Sequence, residues 1–276
     1  MNGIGIIGLG KVGTNLAFNF LKRGATVYAH SNREISQSTL EKIKSIQLKT
    51  ACDVVKNSHF IFLSVKDSEI KTTFYDILPC LDSTKTVIIL SGAFDLKEIK
   101  NGKNIIVIRM HPVRAFVDND FSDIEGTLFV VEGDSKEVLD IVSFLGCKAS
   151  YMKEFTPLYH ASLTFASNFL VTLFNISKEL LEQAQIEESF EVIYNLMEIT
   201  LKNIKENSEV FALTGPIERN DIETVKKHIE SIQDELTREI YILLSLKTVE
   251  VAKKKNPCNN YSDLTNFLKE LLWKKK

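Results

Sequence analysis

Gly8-Leu9-Gly10-Lys11-Val12-Gly13 follows the apolar run Ile4-Gly5-Ile6-Ile7 and opens a segment in which Val12, Leu16, Phe20 and Leu21 recur at helical spacing. A G-x-G-x-x-G pattern carries meaning between a strand and a helix, which is where it stands here. Gly8 permits the tight turn, Gly10 lets a phosphate approach the backbone, and Gly13 lets the helix pack closely on the strand. The free N–H groups and positive end of the following helix suit a pyrophosphate. The stretch reads as the first turn of a β-α-β unit for a dinucleotide, with Leu9, Lys11 and Val12 beside the glycines.

Outward from this turn, short β-rich runs alternate with amphipathic segments. Strands are expected near 3–8, 25–30, 46–50, 59–65, 86–91 and 104–109, with helices near 11–23, 33–44, 67–78 and 95–101. A strand at 126–132, a helix at 135–145 and a strand at 147–152 extend the sheet, punctuated by Gly126, Gly133 and Gly146. From Thr156 the period turns helical. Thr156-Pro157 is an N-cap followed by proline at the first helical position, and one long helix is expected from there to Gln185. Another spans 188–207, Asn220-Asp221-Ile222-Glu223 fits a capping box, and Asp234 and Ser262 are expected to cap the last two. The fold class is therefore α/β, a doubly wound parallel sheet over residues 1–152, followed by an all-α domain over residues 153–276.

The composition of this 276-residue chain, 44% hydrophobic and 25% charged, excludes disordered, collagen-like and low-complexity classes. Lysine plus arginine number 34 against 36 acidic residues, a formal net charge of −2, so no global positive field exists to hold a nucleic acid. The lysine runs 253–255 and 274–276 fit helix C-terminal ends. The apolar runs are too short for a membrane span, and the N-terminus passes directly into the first strand without a basic leader region, so a cytoplasmic protein is expected. Cys52, Cys80, Cys147 and Cys258 make neither a CxxC pair nor a metal-ligand spacing; free thiols and no metal site are expected.

The second strand ends about twenty residues after the glycines, where a carboxylate would select NAD. The chain instead reads Ser31-Asn32-Arg33, whose hydroxyl, amide and guanidinium can satisfy a 2′-phosphate, so NADP is the expected cofactor. Ligands of open α/β sheets bind outside the carboxyl ends of the strands. Ser64-Val65-Lys66 and Ser91-Gly92 stand at two such ends, although Ser91-Gly92 can equally be a turn into the next segment. His111-Pro112 is expected just past a third strand. At 100° per residue, His160, Thr164, Ser167 and Asn168 fall along one stripe of the long helix, which is expected to be central and substantially buried.

The segments Tyr159-His160-Ala161-Ser162 and Phe165-Ala166-Ser167-Asn168-Phe169-Leu170, with Leu213-Thr214-Gly215-Pro216-x2-Arg219-Asn220-Asp221-x2-Thr224-Val225, resemble a bacterial family. That family joins a Rossmann-like domain to a helical C-terminal domain of unknown function. It is similar in fold to pyrroline-5-carboxylate reductase, ketopantoate reductase and the β-hydroxyacid dehydrogenases, with a C-terminal part like that of 6-phosphogluconate dehydrogenase. The resemblance implies NADP-dependent reduction and a homodimer built through the helical domain. Asn220 stands where the pattern has glycine, Lys66 where it has proline, and residues 158–176 lack the lysine that several relatives place on the long helix.

The leading expectation is an NADPH-dependent oxidoreductase that reduces a C=O or C=N group of a small metabolite, with or without a carboxylate. His160 is the first candidate for proton donor, His111 the reserve, and Asn168 polarises or positions the acceptor. Thr164 and Arg219 are candidate substrate contacts, Arg219 alternatively pairing with Asp221 or Glu218. The alternative is a non-catalytic NADP(H)-binding sensor or scaffold. A deazaflavin-linked NADP reductase shares the N-terminal architecture, but the full helical half speaks against it.

Overall fold

The computed structural model describes residues 3–99, 105–118, 120–132 and 136–273. The positions expected to form element ends at 100–101, 104 and 135, Gly133, and the lysine run 274–276 lie outside these. The chain divides into two compact units, residues 1–167 and 168–276.

The first unit runs β1 (Ile4–Ile7), α1 (Lys11–Lys22), β2 (Val27–His30), α2 (Gln37–Lys42), β3 (Gln47–Leu48), α3 (Ala51–Asn57), β4 (Phe60–Leu63), α4 (Asp67–Ile77), β5 (Thr86–Ile89), β6 (Ile106–Pro112), β7 (Leu128–Glu132), α5 (Lys136–Phe144), β8 (Lys148–Met152) and α6 (Pro157–Ala166). Among the described residues its eight strands lie in the order β3-β2-β1-β4-β5-β6-β7-β8. All neighbours are parallel except β6 and β7, where Met110, His111 and Pro112 pair antiparallel with Val131, Val130 and Phe129. The order reverses direction between β1 and β4, the switch point at which this architecture opens a crevice.

The strands are apolar on both faces because both are covered. Ile4, Ile6, Phe62 and Ile88 join Leu16 and Phe20 of α1 and Ile141 of α5 in one core. Residues of opposite parity, Ile7, Ile61, Leu63 and Ile89, meet Val54 and Val55 of α3 and Phe74 of α4 in the other.

Expectations for this unit change at several points. The short helix α3 was not expected; its only local signal is Thr50, whose hydroxyl accepts from the Asp53 N–H at 3.3 Å. The helix expected at 95–101 is, among described residues, a single 3-10 turn at Leu96–Glu98. His111 and Pro112 lie within β6 rather than in a turn beyond it. Proline is tolerated there because Pro112 is the last residue of the strand.

Cys52 and Cys80, expected as free thiols, are joined as a disulfide with their Cα atoms 5.7 Å apart. Cys147 and Cys258 are free. Burial pushes the Cys147 thiol up to about 11.

The second unit comprises α7 (Asn168–Gln183), α8 (Ser189–Phe211), α9 (Ile222–Ser231), α10 (Glu235–Lys255) and α11 (Ser262–Trp273). The single helix expected from 157 to 185 is thus two. It breaks at Ser167, a turn residue at the C-cap of α6 with φ −119° and ψ −71°, and the chain divides at the same place. Neither α6 nor α7 buries a residue, so the expected central burial is not found. Val225, Ile242, Val249 and Leu264 anchor the core among α9, α10 and α11. Asp221 caps α9 by accepting from the Thr224 N–H at 3.1 Å, Asn220 before it takes the positive φ of 59° that a glycine would have taken, and Asp234 caps α10. Ser262 is the first helical residue of α11 rather than its cap. Among the described residues no helix is long and apolar enough to cross a membrane, and no group of acidic, histidine or cysteine side chains is arranged to hold a metal ion.

Candidate active site

The glycine turn has the local geometry its sequence required. Gly8 takes a φ of +99°, and its N–H donates to the His30 carbonyl at 2.9 Å, tying the turn to the end of β2. A Cβ on Gly13 would overlap the Gly8 carbonyl oxygen, so only glycine lets α1 start this close to β1. A Cβ on Gly10 would meet nothing within 4 Å. Gly10 is also the N-cap of α1 and supplies no side-chain cap, which leaves the first N–H groups of the helix facing open space.

That space belongs to a cleft of about 330 Å³ above the β1/β4 switch point. It brings together Gly8, Leu9 and Gly10 from the first turn, Ser31, Asn32 and Arg33 from the end of β2, and Ser64, Val65 and Lys66 from the end of β4. The β2 end is ordered by its own polar groups. The Ser31 hydroxyl donates to the Arg33 carbonyl at 2.9 Å, and the His30 ring, held at Nδ1 by the Lys49 carbonyl, contacts Asn32 Oδ1 through Nε2 at 2.8 Å. These bonds settle the backbone and amide while the Arg33 side chain stays exposed at the rim. These donors suit an anionic, elongated ligand, although Glu34, Glu69 and Asp76 also line the cleft.

Other residues of the expected cofactor set fall outside the cleft lining. Lys11 forms a 3.2 Å ion pair with Asp118, and Val12, in the first turn of α1, packs against the core. The buried Ser91 hydroxyl accepts from the N–H groups of Ala93 at 3.1 Å and Phe94 at 2.9 Å, the local turn that its sequence allowed.

Gly92 marks a second cluster, at the end of β5. A Cβ placed on it would stand 3.0 Å from the His160 ring and 3.3 Å from the His111 ring. His111 Nδ1 is hydrogen-bonded to the Tyr159 hydroxyl at 2.8 Å, and the His111 and His160 rings are 6.4 Å apart. Burial, helped by His160, pulls His111 down to about 4, with Asp67 acting the other way; burial pushes the Tyr159 hydroxyl up to about 12. Both groups are therefore neutral at pH 7. The tyrosine keeps its proton, and the bond at Nδ1 orders the imidazole, leaving Nε2 for a ligand.

Beneath this cluster lies Arg109, two residues earlier on β6 and only 1% exposed. Its Nε makes a 2.8 Å ion pair with Glu132 of β7, its guanidinium sits 4.3 Å from the Phe155 ring centroid, and Nη2 donates to the Phe155 carbonyl at 3.4 Å. Burial draws the guanidinium below its ordinary value and Glu132 opposes that. Phe155 in turn meets the Tyr159 ring edge-on, with centroids 4.8 Å apart. The buried cation thus fixes the entry to α6 and, through it, Tyr159.

Of the expected catalytic residues, His111 and His160 are brought together. Asn168 opens α7 in the second unit, so the helical periodicity that aligned it with His160 stops short of it. The Thr164 hydroxyl donates to the His160 carbonyl at 3.1 Å, and Arg219 has an exposed side chain. Asp221 is the α9 cap, and Glu218 accepts from Asn256 at 2.8 Å and pairs with Lys255 at 3.6 Å. Sequence reading missed Tyr159, Arg109 and Glu132 as parts of one assembly. Tyr159 stood next to His160, but nothing local linked it to His111 forty-eight residues away.

A parallel sheet in this order, with a glycine turn at the switch point and helices on both faces, is a Rossmann-type unit, here followed by a helical one. Residues 3–93 match the family model described as NADP oxidoreductase, coenzyme F420-dependent, and residues 127–248 match a domain of unknown function, DUF2520. No curated protein matches the chain. Among solved structures, it is similar to a protein of Bacteroides fragilis described as an NADP oxidoreductase, at 21% identity over 90% of this chain and 97% of that one, with a TM-score of 0.74. A protein from Thermotoga maritima is 21% identical over 92% and 99% of the two chains, with a TM-score of 0.69. Pyrroline carboxylate reductase from Plasmodium falciparum, solved with NADP bound, is 12% identical over 91% and 95%, with a TM-score of 0.62. These likenesses establish the fold expected from the glycine turn and the helical motifs.

Proposed function

We propose that the protein is an NADPH-dependent reductase acting on a C=O or C=N group of a small metabolite. One observation carries this reading. The cleft at the switch point presents a bare helix N-terminus and Arg33, while the ends of β5 and β6 hold Gly92 and His111 beside Tyr159 and His160. The NADP oxidoreductase family model over residues 3–93 and the NADP-bound pyrroline carboxylate reductase support the choice of cofactor. When bound, the dinucleotide supplies a hydride from its nicotinamide ring. The protein's share is to bind the phosphates at Gly8–Gly13, to hold the 2′-phosphate with Ser31, Asn32 and Arg33, and to place the nicotinamide end towards Gly92.

At that end, His111 acts as a neutral hydrogen-bond donor from Nε2, polarising the acceptor atom, in the way an uncharged imidazole serves as an electrophile. Tyr159 holds its tautomer. His160, exposed and in exchange with solvent, delivers the proton that the reduced oxygen or nitrogen requires. Purified protein with NADPH is expected to turn over at least one member of a panel of 2-oxo acids, aldehydes and cyclic imines; no turnover across the panel overturns the reading. Arg33→Ala is expected to raise the NADPH Kd by about tenfold to a hundredfold and to leave NADH affinity unchanged, consistent with loss of ~1.4–2.7 kcal/mol of charge-assisted binding. Equal effects on both cofactors would show that Arg33 does not read the 2′-phosphate.

Tyr159→Phe is expected to lower kcat about tenfold to a hundredfold with little change in NADPH Kd, and His160→Ala to lower it by ~10²-fold. Because His111 titrates near 4, the wild-type rate is expected to show no inflection from His111 between pH 6 and 8. Full activity in both variants would remove the cluster from the chemistry.

A homodimer formed through the second unit belongs to the same proposal. Phe190, Leu196, Ile199 and Leu201 of α8 and Val171 of α7 are large apolar side chains left exposed, and α7 and α8 enclose an apolar groove of about 520 Å³. The resemblance read from the helical motifs points to a second copy as its cover. Sedimentation equilibrium is expected to give a dimer, and Leu196→Glu with Leu201→Glu a monomer; a monomeric wild type overturns this part.

A further inference from the structure

We propose that Cys52 and Cys80 form a reversible dithiol–disulfide site that sets how tightly the first unit holds NADPH, an inference that rests on the cofactor reading above. Cys52 is the second residue of α3, and Cys80 ends the 3-10 turn Leu78–Cys80 that continues α4. The two are 28 residues apart in sequence and 5.7 Å apart between Cα atoms, within the span a disulfide bridges without backbone movement. Both residues are half-buried, so a small thiol reagent can reach them.

The position of the crosslink gives it consequences for the cleft. The segment it closes contains β4, the Ser64–Lys66 turn and α4. Ala51, next to Cys52, and Thr73, Asp76 and Ile77, shortly before Cys80, all line the cleft, so the bond ties together two helices that form one of its walls. It is not needed to build that wall. Val54 and Val55 of α3 share a core with Ile70, Phe74 and Ile77 of α4, so apolar contact keeps the helices together when the sulfurs are reduced. What the crosslink adds is restriction of their separation, and a binding wall held in one arrangement binds more tightly because less ordering remains to be done on binding.

Oxidation removes two protons and two electrons from the two thiols and forms one S–S bond. The acceptor is a low-molecular-weight disulfide, which leaves as two thiols: one cysteine thiolate attacks it to give a mixed disulfide, and the second cysteine displaces the remaining thiol. Reduction runs the same exchange backwards. Disulfides that occur in reducing compartments are typically of this transient kind, and the four-cysteine sequence with no CxxC pair conceals it.

The test equilibrates the full chain with mixtures of oxidised and reduced glutathione, traps free thiols with iodoacetamide, maps the peptides, and titrates NADPH into each form. The expected result is a Cys52–Cys80 crosslinked peptide in the oxidised protein, its loss under excess reduced glutathione without unfolding, and an NADPH Kd about five- to tenfold lower in the crosslinked form, at the modest end of site-to-site couplings. Cys52→Ser and Cys80→Ser are expected to bind NADPH like the reduced wild type at every glutathione ratio. Failure to find the crosslink at any ratio, or a crosslink that excess reductant does not open in the folded protein, overturns the proposal. Equal and measurable NADPH affinities in the two forms overturn the coupling alone. Absence of NADPH binding in both forms overturns the coupling together with the cofactor reading.

Discussion

Gly13→Ala is expected to raise the NADPH Kd by at least ~100-fold, about 2.7 kcal/mol, and to lower stability by ~1–3 kcal/mol. The added methyl overlaps the Gly8 carbonyl oxygen and comes within 3.0 Å of the Ser64 hydroxyl and 3.1 Å of its Cβ, so neither backbone nor side chain gives way cheaply. Relief requires α1 to move off β1, and with it the N–H groups proposed above to bind the phosphates. Gly10→Ala separates the two effects. Its Cβ meets nothing in the protein within 4 Å, so stability should hold while NADPH affinity falls, because the methyl enters the space that the proposed binding mode gives to the ligand. NADPH titration and denaturant unfolding of both variants check this. Wild-type affinity in Gly13→Ala would mean that the helix start does not bind the dinucleotide.

Arg109→Ala is expected to cost ~3–5 kcal/mol of stability, the range seen when one partner of a buried ion pair is removed. It leaves Glu132, with only 15% of its side chain exposed, without its cation and strips the Phe155 ring and carbonyl of theirs. Replacing both charges, in Arg109→Met with Glu132→Gln, is expected to recover most of that loss, since the penalty lies in the uncompensated carboxylate and not in the absence of the pair. The double variant should nevertheless stay impaired in kcat, because Phe155 and Tyr159 no longer have a fixed support. Thermal unfolding and kcat measured on the same preparations distinguish these effects. A loss below ~1 kcal/mol in the single variant would show that Glu132 finds water or another donor.

Much of the first unit was legible in sequence because its signals are local. The run Ile4–Ile7, the glycine spacing and the apolar period of α1 each constrain the backbone within a few residues, and the cleft assembles the Gly8–Gly10, Ser31–Arg33 and Ser64–Lys66 segments expected of it. The misses occurred where local signals compete or are short. The seven residues of α3 carry too few turns to show a period, and Thr50 with Asp53 was its only mark. The break at Ser167 lies in a segment with no proline or glycine, where periodicity runs through without interruption, so the sequence carries no mark that separates His160 from Asn168.

Two buried asparagines illustrate what tertiary contact alone supplies. Asn15 and Asn19 fall within the α1 pattern as unremarked polar positions. Asn15 donates to the Asp120 carbonyl at 2.9 Å, and Asn19 donates to the Ser122 carbonyl at 3.0 Å and accepts from the Ile124 N–H at 3.2 Å. They pin the strand-connecting segment after β6 onto the helix that starts at the glycines.

By itself, the sequence determined the layered architecture, the glycine turn and the polar triplet after β2, because backbone conformation and hydrophobic periodicity act over short distances. Only the tertiary structure decided that Tyr159 orients His111, that Arg109 and Glu132 support both from beneath, and that Cys52 lies against Cys80. Each of those pairings joins residues far apart along the chain, and proximity across a sheet edge arises from strand order and helix placement, which no local spacing encodes.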